Sequence, residues 1–321
     1  MLVKVQNTSF TLPGAEDQLT WSSPFTFALI ADPQFGLYRN NNSWEEERQQ
    51  VAECIIAAAS LSSKPAFIAI LGDLVHAPVP ALSQESLQDE VRAVRDQQAK
   101  DLKDVIDKPS KDVPVLVLPG NHDVGNAPTA ASIADYEQLW GKDHFSFWFG
   151  GVKFVAANSS VLYDDTNAKE LAEEQFEWIE NELKDGMEKG AKQQFLLQHH
   201  QFYWDNWGEA DDKTNTVEVR QMRAHNPVSL FQLPKRWRER FQPLMKKYNV
   251  AASFHGHLHY DSLLQDGDTP QIVTSSCGFA TNDGRPGWRL VTVEESKFSH
   301  EFYPVKWLTS DYPFSPPRFS T

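Results

Sequence analysis

Residues 27–36 read FALIADPQFG, and the change from apolar to polar inside that stretch decides the fold. The apolar residues from Phe27 to Ala31 predict a strand that buries its side chains. Asp32 closes the strand beside Pro33, which cannot continue a ladder, so its carboxylate points beyond the sheet edge. Gln34 then places an amide where a second polar group is wanted. A buried strand with polar side chains presented at its end is the unit from which the rest of the chain can be read.

Outward from that unit, strands and helices alternate. The segment 25–31 is a strand, and Ser43 opens a helix with capping-box spacing to Glu46 that runs to about Leu61. FIAIL (67–71) is a second buried strand. Residues 83–105 carry Leu87, Val91, Val94 and Leu102 at roughly helical spacing, and VPVLVLP (113–119) is a third strand. This β-α-β-α-β order predicts a mostly parallel sheet with short loops at the strand ends. The second half begins with two strand-like runs about Gly150-Gly151 (145–158), followed by a helix (168–185) and the strand FLLQ (195–198). Residues 203–235 have weak periodicity and read as a long insertion. A helix near 235–248 leads to AASF (251–254), and QIVTS, WRLVTV and KFSHEFY read as antiparallel strands. The tail 304–321 is rich in Pro and aromatics and has no regular pattern. No repeat or long linker divides the chain, so residues 1–321 are expected to form one domain with its core at about 25–303.

Composition narrows the function. The chain has 321 residues, of which 40% are hydrophobic, enough for a large core. Its net charge of −14 argues against nucleic acid and anionic membrane as partners, since both want a basic face. Two cysteines, Cys54 and Cys277, make a disulfide framework improbable and favour a reducing compartment. MLVKVQNTSF has no apolar core of a signal peptide, and AFIAIL (66–71) is too short to span a bilayer. A cytoplasmic protein is therefore expected.

The strand ends carry the chemistry. The first ends in Asp32-Pro33-Gln34, the second in Gly72-Asp73, and the third in Gly120-Asn121-His122-Asp123. FLLQ ends in His199-His200, and AASF ends in His255-Gly256-His257-Leu258-His259. Open α/β sheets place their sites at such ends. Asp, Asn, Gln and His are the side chains that ligate divalent metals of intermediate hardness. Each feature alone is ordinary turn chemistry; five together in one chain are not. In a strand-like turn His257 and His259 point the same way, so two imidazoles can address neighbouring metals. His200 and His255 adjoin these motifs as structural support, while His76, His144, His225 and His300 read as surface or packing residues.

The order D-x-Q, G-D, G-N-H-D, H, G-H-x-H resembles the calcineurin-like metallophosphoesterase superfamily over nearly the whole chain. The stretches ADPQFG (31–36), GDLVHA (72–77), LVLPGNHDVGNAPT (116–129) and FSFWFGGVKF (145–154) are most similar to its subgroup of calcineurin-like phosphoesterase domain-containing proteins. The resemblance implies a four-layer α/β/β/α sandwich with a dinuclear metal site. By the same resemblance, Asp32, Gln34, Asp73 and His259 would hold one ion. Asp73, Asn121, His199 and His257 would hold the other, with Asp73 bridging. His122 would stand beside the leaving group and Asp123 would orient it. The implied ions are two divalent cations (Mn, Fe, Zn or Mg), and the amide oxygen of Gln34 favours Mn because it is harder than an imidazole nitrogen. The other reading of Gln34 is a hydrogen bond to a metal-bound water.

The implied reaction is hydrolysis of a phosphoric monoester by a metal-bridging hydroxide, with a phosphorylated protein or small phosphoester as substrate and a serine/threonine protein phosphatase as the leading assignment. GDLVHAP lacks the arginine with which the main Ser/Thr phosphatases grip phosphate, so a phosphodiesterase or Mn-dependent nucleotide diphosphatase stays open. A scaffold of the same fold without turnover is disfavoured, because His122 and a ligand-capable residue at every position are kept. Arg285 is either a phosphate grip or a surface residue. FYWDNWGEADD (202–212) is either a specificity rim or packing over the sheet. KRWRER (235–240) is either a phosphate patch or a solvated helix face.

Overall fold

The computed structural model describes residues 1–13, 18–108, 111–211, 231–280 and 285–306. Strand β1 (Phe25–Ile30) sits at the centre of a five-stranded sheet. It runs parallel to β2 (Ile68–Leu71), which is followed outward by β3 (Val115–Leu118). On its other side it pairs antiparallel with β10 (Gly287–Val293), and β11 (Phe298–Pro304) closes that edge.

The second sheet has six strands. The hairpin β4 (Phe145–Phe149) and β5 (Val152–Ala156) turns on Gly150-Gly151 and continues in parallel to β6 (Gln193–Leu197) and β7 (Val250–His255). Next to β7 comes β9 (Gln271–Val273), and β8 (Ser262–Leu264) forms the edge. The segment expected as an antiparallel strand at 271–275 is thus only half so. β9 is antiparallel to β8 but parallel to β7.

Side-chain alternation along the strands builds the layers. On β1, Phe27 and Leu29 face the second sheet and, with Phe67 beside β2, pack into one cluster with its Phe147, Phe154, Phe195 and Phe254. Phe27 stacks on Phe67 with ring centroids 5.0 Å apart and meets Phe154 edge-on at 5.3 Å. Truncating one of these rings to alanine would cost about 3–5 kcal/mol. Ala28 and Ile30 point the other way, to α1 (Glu45–Ala59), α2 (Gln88–Asp107), the short α3 (Asn121–Val124) and α4 (Ala130–Trp140). The outer face of the second sheet is covered by α5 (Ser159–Tyr163), α6 (Lys169–Glu188) and α7 (Lys235–Lys247). The chain is therefore the four-layer α/β/β/α sandwich expected.

Helix starts differ from the expected ones. Ser43 forms no capping box; its hydroxyl meets only the Glu45 N–H, at 3.4 Å, and α1 begins at Glu45. Two short 3₁₀ turns at 80–82 and 85–87 precede α2. The sequence predicts no element for the N-terminal residues, yet they lie along both sheet edges. Leu2 bridges Val115 of β3, and Ser9 bridges Ser146 of β4. Val3 N–H donates to Val115 O at 2.8 Å and Ser146 N–H to Thr8 O at 2.7 Å. One segment thus satisfies two otherwise open edges. No helix among the described residues is long and apolar enough to cross a membrane.

Candidate metal centre

The loops at the C-terminal ends of β1, β2, β3, β6 and β7 converge at one end of the sandwich. Their backbone is strained there. Among the described residues, eight non-glycine residues have positive φ, and five of them are Asp32, Gln34, Asp73, His257 and His259. Each costs energy that ordinary turns avoid, and such strain collects where a site over-determines its side chains. It also corrects the reason given for the two histidines. His257 (φ 70) and His259 (φ 58) sit in left-handed turns and do not alternate along a strand.

Gly72 and Gly256 permit the convergence. Gly72 has φ +86, and a Cβ there would lie 2.6 Å from His199 Nδ1 and 2.7 Å from Gly120 N. A Cβ on Gly256 would lie 2.6 Å from Asp32 Oδ2. Only glycine lets these backbones approach so closely.

Two overlapping groups result. The ligand atoms of Asp73, His199 and His257 lie within 4.8 Å of one another, as do those of Asp32, Asp73 and His259. Asp73 belongs to both. His199 Nε2 is 3.4 Å from Asp73 Oδ2, and His259 Nε2 is 3.4 Å from Asp32 Oδ1. The other ring nitrogens are tied back. His199 Nδ1 donates to Leu71 O at 2.7 Å and His259 Nδ1 to Phe279 O at 2.5 Å. A carbonyl only accepts, so each Nδ1 carries the proton and each Nε2 can offer a lone pair to a cation. Asn121 Oδ1 lies 3.2 Å from His199 Nε2, joining the first group.

Gln34 is buried, and its Oε1 has no hydrogen-bond partner among the described residues. A buried carbonyl oxygen left unpaired is costly, and a cation would satisfy it. Buried carboxylates, imidazole lone pairs and an orphaned amide oxygen are a donor set that fits divalent metal ions.

Electrostatics agree with that fit. Burial alone would raise Asp73, but the positive charges of His199, His122 and His257 hold it well below the usual carboxylate range. Burial opposes the charge on His199 too, yet Asp73 and Asp32 raise it to about 9. Asp123 is pushed up to about 7 by burial and by the charge of Asp73. Behind the site, burial lowers His255 to about 3, and lowers His200 well below the usual histidine range. His200 meets Ser159 Oγ at 2.9 Å, and His255 Nδ1 donates to His200 O at 2.8 Å, so both act as supports.

Other expected positions fall differently. His122 is partly buried at the site, and among the described residues no hydrogen bond joins its ring to Asp123. The Asp123 carboxylate accepts from Leu74 N–H (3.0 and 3.1 Å) and Gly120 N–H (2.8 Å), holding two loops together. Arg285 lies exposed two residues before β10. In the segment 202–212, Phe202, Tyr203 and Trp207 belong to the core beneath α7. Trp204 packs with Phe231, whose ring centroid is 6.0 Å from that of His257. Residues 212–230 of the expected insertion, and 307–321 of the tail, lie outside the described residues. The KRWRER residues are ion-paired along α7: Arg236 with Asp165, Arg240 with Glu173, and buried Arg238 with Asp211.

Two residues at the site had no assigned part. His76, read as surface or packing, stacks on His122. Arg95 is buried on α2 and grips the carbonyls of Ala77, His122 and Asp123 at 2.8, 3.1 and 2.5 Å. Its position in a charged helix gave no sign of this, whereas His76 stood inside GDLVHA.

Comparison with known proteins agrees with this architecture. Serine/threonine-protein phosphatase CPPED1 of Bos taurus is 31% identical over 305 residues, covering 92% of this chain and 88% of its own. The Danio rerio protein of the same name is 30% identical, covering 96% and 94%. Among solved structures, purple acid phosphatase PPD1 from yellow lupin superposes with a TM-score of 0.61 at 16% identity, covering 88% of this chain and 52% of that one. PhoD superposes at 0.60 and 15% identity, covering 92% and 69%. The family described as calcineurin-like phosphoesterase matches residues 25–261. That match, with relatives at about 30% identity over nearly the whole chain, places the chain in the calcineurin-like phosphoesterase family.

Proposed function

We propose that this phosphoesterase is a dinuclear-metal-dependent monoester hydrolase acting on phosphoserine and phosphothreonine in proteins. The observation that carries the dinuclear part is Asp73, which belongs to both ligand groups. The protein substrate is supported by the relatives named serine/threonine-protein phosphatase CPPED1, 30–31% identical over most of both chains.

Asp32, Gln34, Asp73 and His259 would hold one ion, and Asp73, Asn121, His199 and His257 the other. When bound, two such ions activate a water as nucleophile and stabilise charge on the phosphoryl oxygens. The protein's own part is to fix the geometry and to move one proton. His122, partly buried at the site, would donate its proton to the departing serine or threonine oxygen, a role typically worth about 10²–10⁴-fold. Asp123 would keep the His122 loop against the Asp73 loop through its two backbone hydrogen bonds. Gln34, with a buried and unpaired amide oxygen, favours Mn²⁺ as the working ion.

The test is phosphate release from a phosphoserine peptide with added Mn²⁺, beside cleavage of a bis-aryl phosphate diester. Faster monoester turnover supports the proposal. Faster diester turnover moves the protein to the phosphodiesterase and nucleotide diphosphatase branch with the same site.

A further inference from the structure

His76 and His122 follow β2 and β3, and their rings stack with centroids 4.9 Å apart and planes 29° apart. The backbone of His122 is fixed. Its N–H donates to Asp73 Oδ1 at 2.8 Å, and its carbonyl accepts from Arg95 Nη1 at 3.1 Å. Its ring makes no hydrogen bond to a described residue. An imidazole held only at its Cα turns through a broad torsional well about χ2. A proton donor must instead lie within hydrogen-bond reach of the oxygen it serves. Among the described residues, the ring contact of His122 is with the face of His76.

His76 is itself held from below. Its N–H donates to Phe35 O at 3.0 Å. The next residue, Ala77, gives its carbonyl to Arg95 Nη1 at 2.8 Å and its N–H to Gln98 Oε1 at 2.9 Å. One guanidinium nitrogen therefore joins the backbones of both histidine loops. The buried Nδ1 of His76 has no hydrogen-bond partner among the described residues, which leaves the stacking on His122 as the contact that orients its ring.

We propose that His76 is a positioning residue for His122: its ring is the platform that aims the imidazole at the leaving oxygen, and Arg95 sets the spacing between them. This rests on the reading of His122 as proton donor.

The experiment compares kcat and KM on two substrates. A phosphoserine peptide leaves as an alkoxide and needs the proton; 4-nitrophenyl phosphate leaves as a stable phenolate and needs it little. His76→Ala is expected to lower kcat on the peptide about 10–100-fold, as for a donor misplaced by up to an ångström. On the nitrophenyl ester the loss should be at most a few-fold, with KM unchanged on both. His76→Phe, which keeps a flat face, should restore most of the peptide rate. Equal losses on both substrates, no loss, or no rescue by phenylalanine would overturn the proposal. His122→Ala is the reference. If it shows no leaving-group dependence, the proton-donor reading itself fails; if it does and His76→Ala does not, only the positioning role falls.

Discussion

His199 Nε2 lies 3.4 Å from Asp73 Oδ2 and 3.9 Å from Asp32 Oδ1, so one imidazole faces the carboxylates that end two neighbouring strands. With no other charge present, the ring and the carboxylates stabilise each other as an ion pair. Cations entering the site would displace the imidazole proton and take its place beside both carboxylates. The same few atoms then serve folding without metal and chemistry with it.

Asp73→Asn tests the shared position. The amide keeps the shape but loses the charge that both groups use. Phosphate release should fall at least about 100-fold, and bound metal should fall by about one equivalent of the two. Elemental analysis of the purified variant, with phosphate release beside it, gives both readings. Wild-type turnover in this variant would show that the reaction occurs elsewhere.

Gln34→His tests the choice of ion. The substitution trades a hard amide oxygen for a borderline nitrogen without changing charge. Affinity for Zn²⁺ should rise about tenfold relative to Mn²⁺, and Mn²⁺-supported turnover should drop. Competition titration of the metal-free protein measures this. An unchanged ratio would mean that Gln34 does not touch the ion and instead bonds a water.

Much of this end of the molecule was legible in the chain. Asp32, Asp73, Asn121 and His199 each follow an apolar run directly or after one glycine or glutamine, so a strand reading also places them at the sheet edge. The parity of Phe27 and Leu29 against Ala28 and Ile30 required two covered faces. Other features needed the third dimension. Arg95 looks like any charged residue of a solvated helix, because its partners are backbone carbonyls of distant loops. The strap at Leu2 and Ser9 has no period of its own and is defined by the edges it meets. β8 has three residues with Leu263 largely exposed, too short a run to be told from loop. The direction of β9 depends on which neighbour it finds, and no local pattern encodes that.

The metal-free protein should lose stability as pH rises from about 7 to 9. His199 is raised from its ordinary value to about 9, so its charged form stabilises the fold fully below the unfolded value near 6.5. That contribution is lost as pH passes through the folded value. Asp123, raised from 3.8 to about 7, acts with the same sign but earlier, its contribution being lost as pH rises towards 7. The loss should be on the order of 1–3 kcal/mol. Denaturant midpoints at pH 6.5, 7.5 and 9, with and without Mn²⁺, check it. A saturating metal should flatten the trend, since a ligated imidazole carries no titrating proton.

Gly72→Ala should separate folding from metal capture. The residue sits at φ +86, where a side chain costs about 1–2 kcal/mol, and its new Cβ would press on His199 Nδ1 at 2.6 Å. Relief moves either the β2 loop or the His199 ring, and the ring is fixed by its 2.7 Å bond to Leu71 O. A total destabilisation of about 2–4 kcal/mol is expected from backbone strain and overpacking together. If the ring yields, the two ligand groups open and the protein loses its metal response as well. A metal at 100 times its Kd stabilises a folded chain by about 2.7 kcal/mol. The variant should recover much less than that at the same Mn²⁺ concentration, as read from paired denaturation curves. Full recovery would mean that the loop moves and the ligand geometry survives, which would assign the close approach at Gly72 to folding alone.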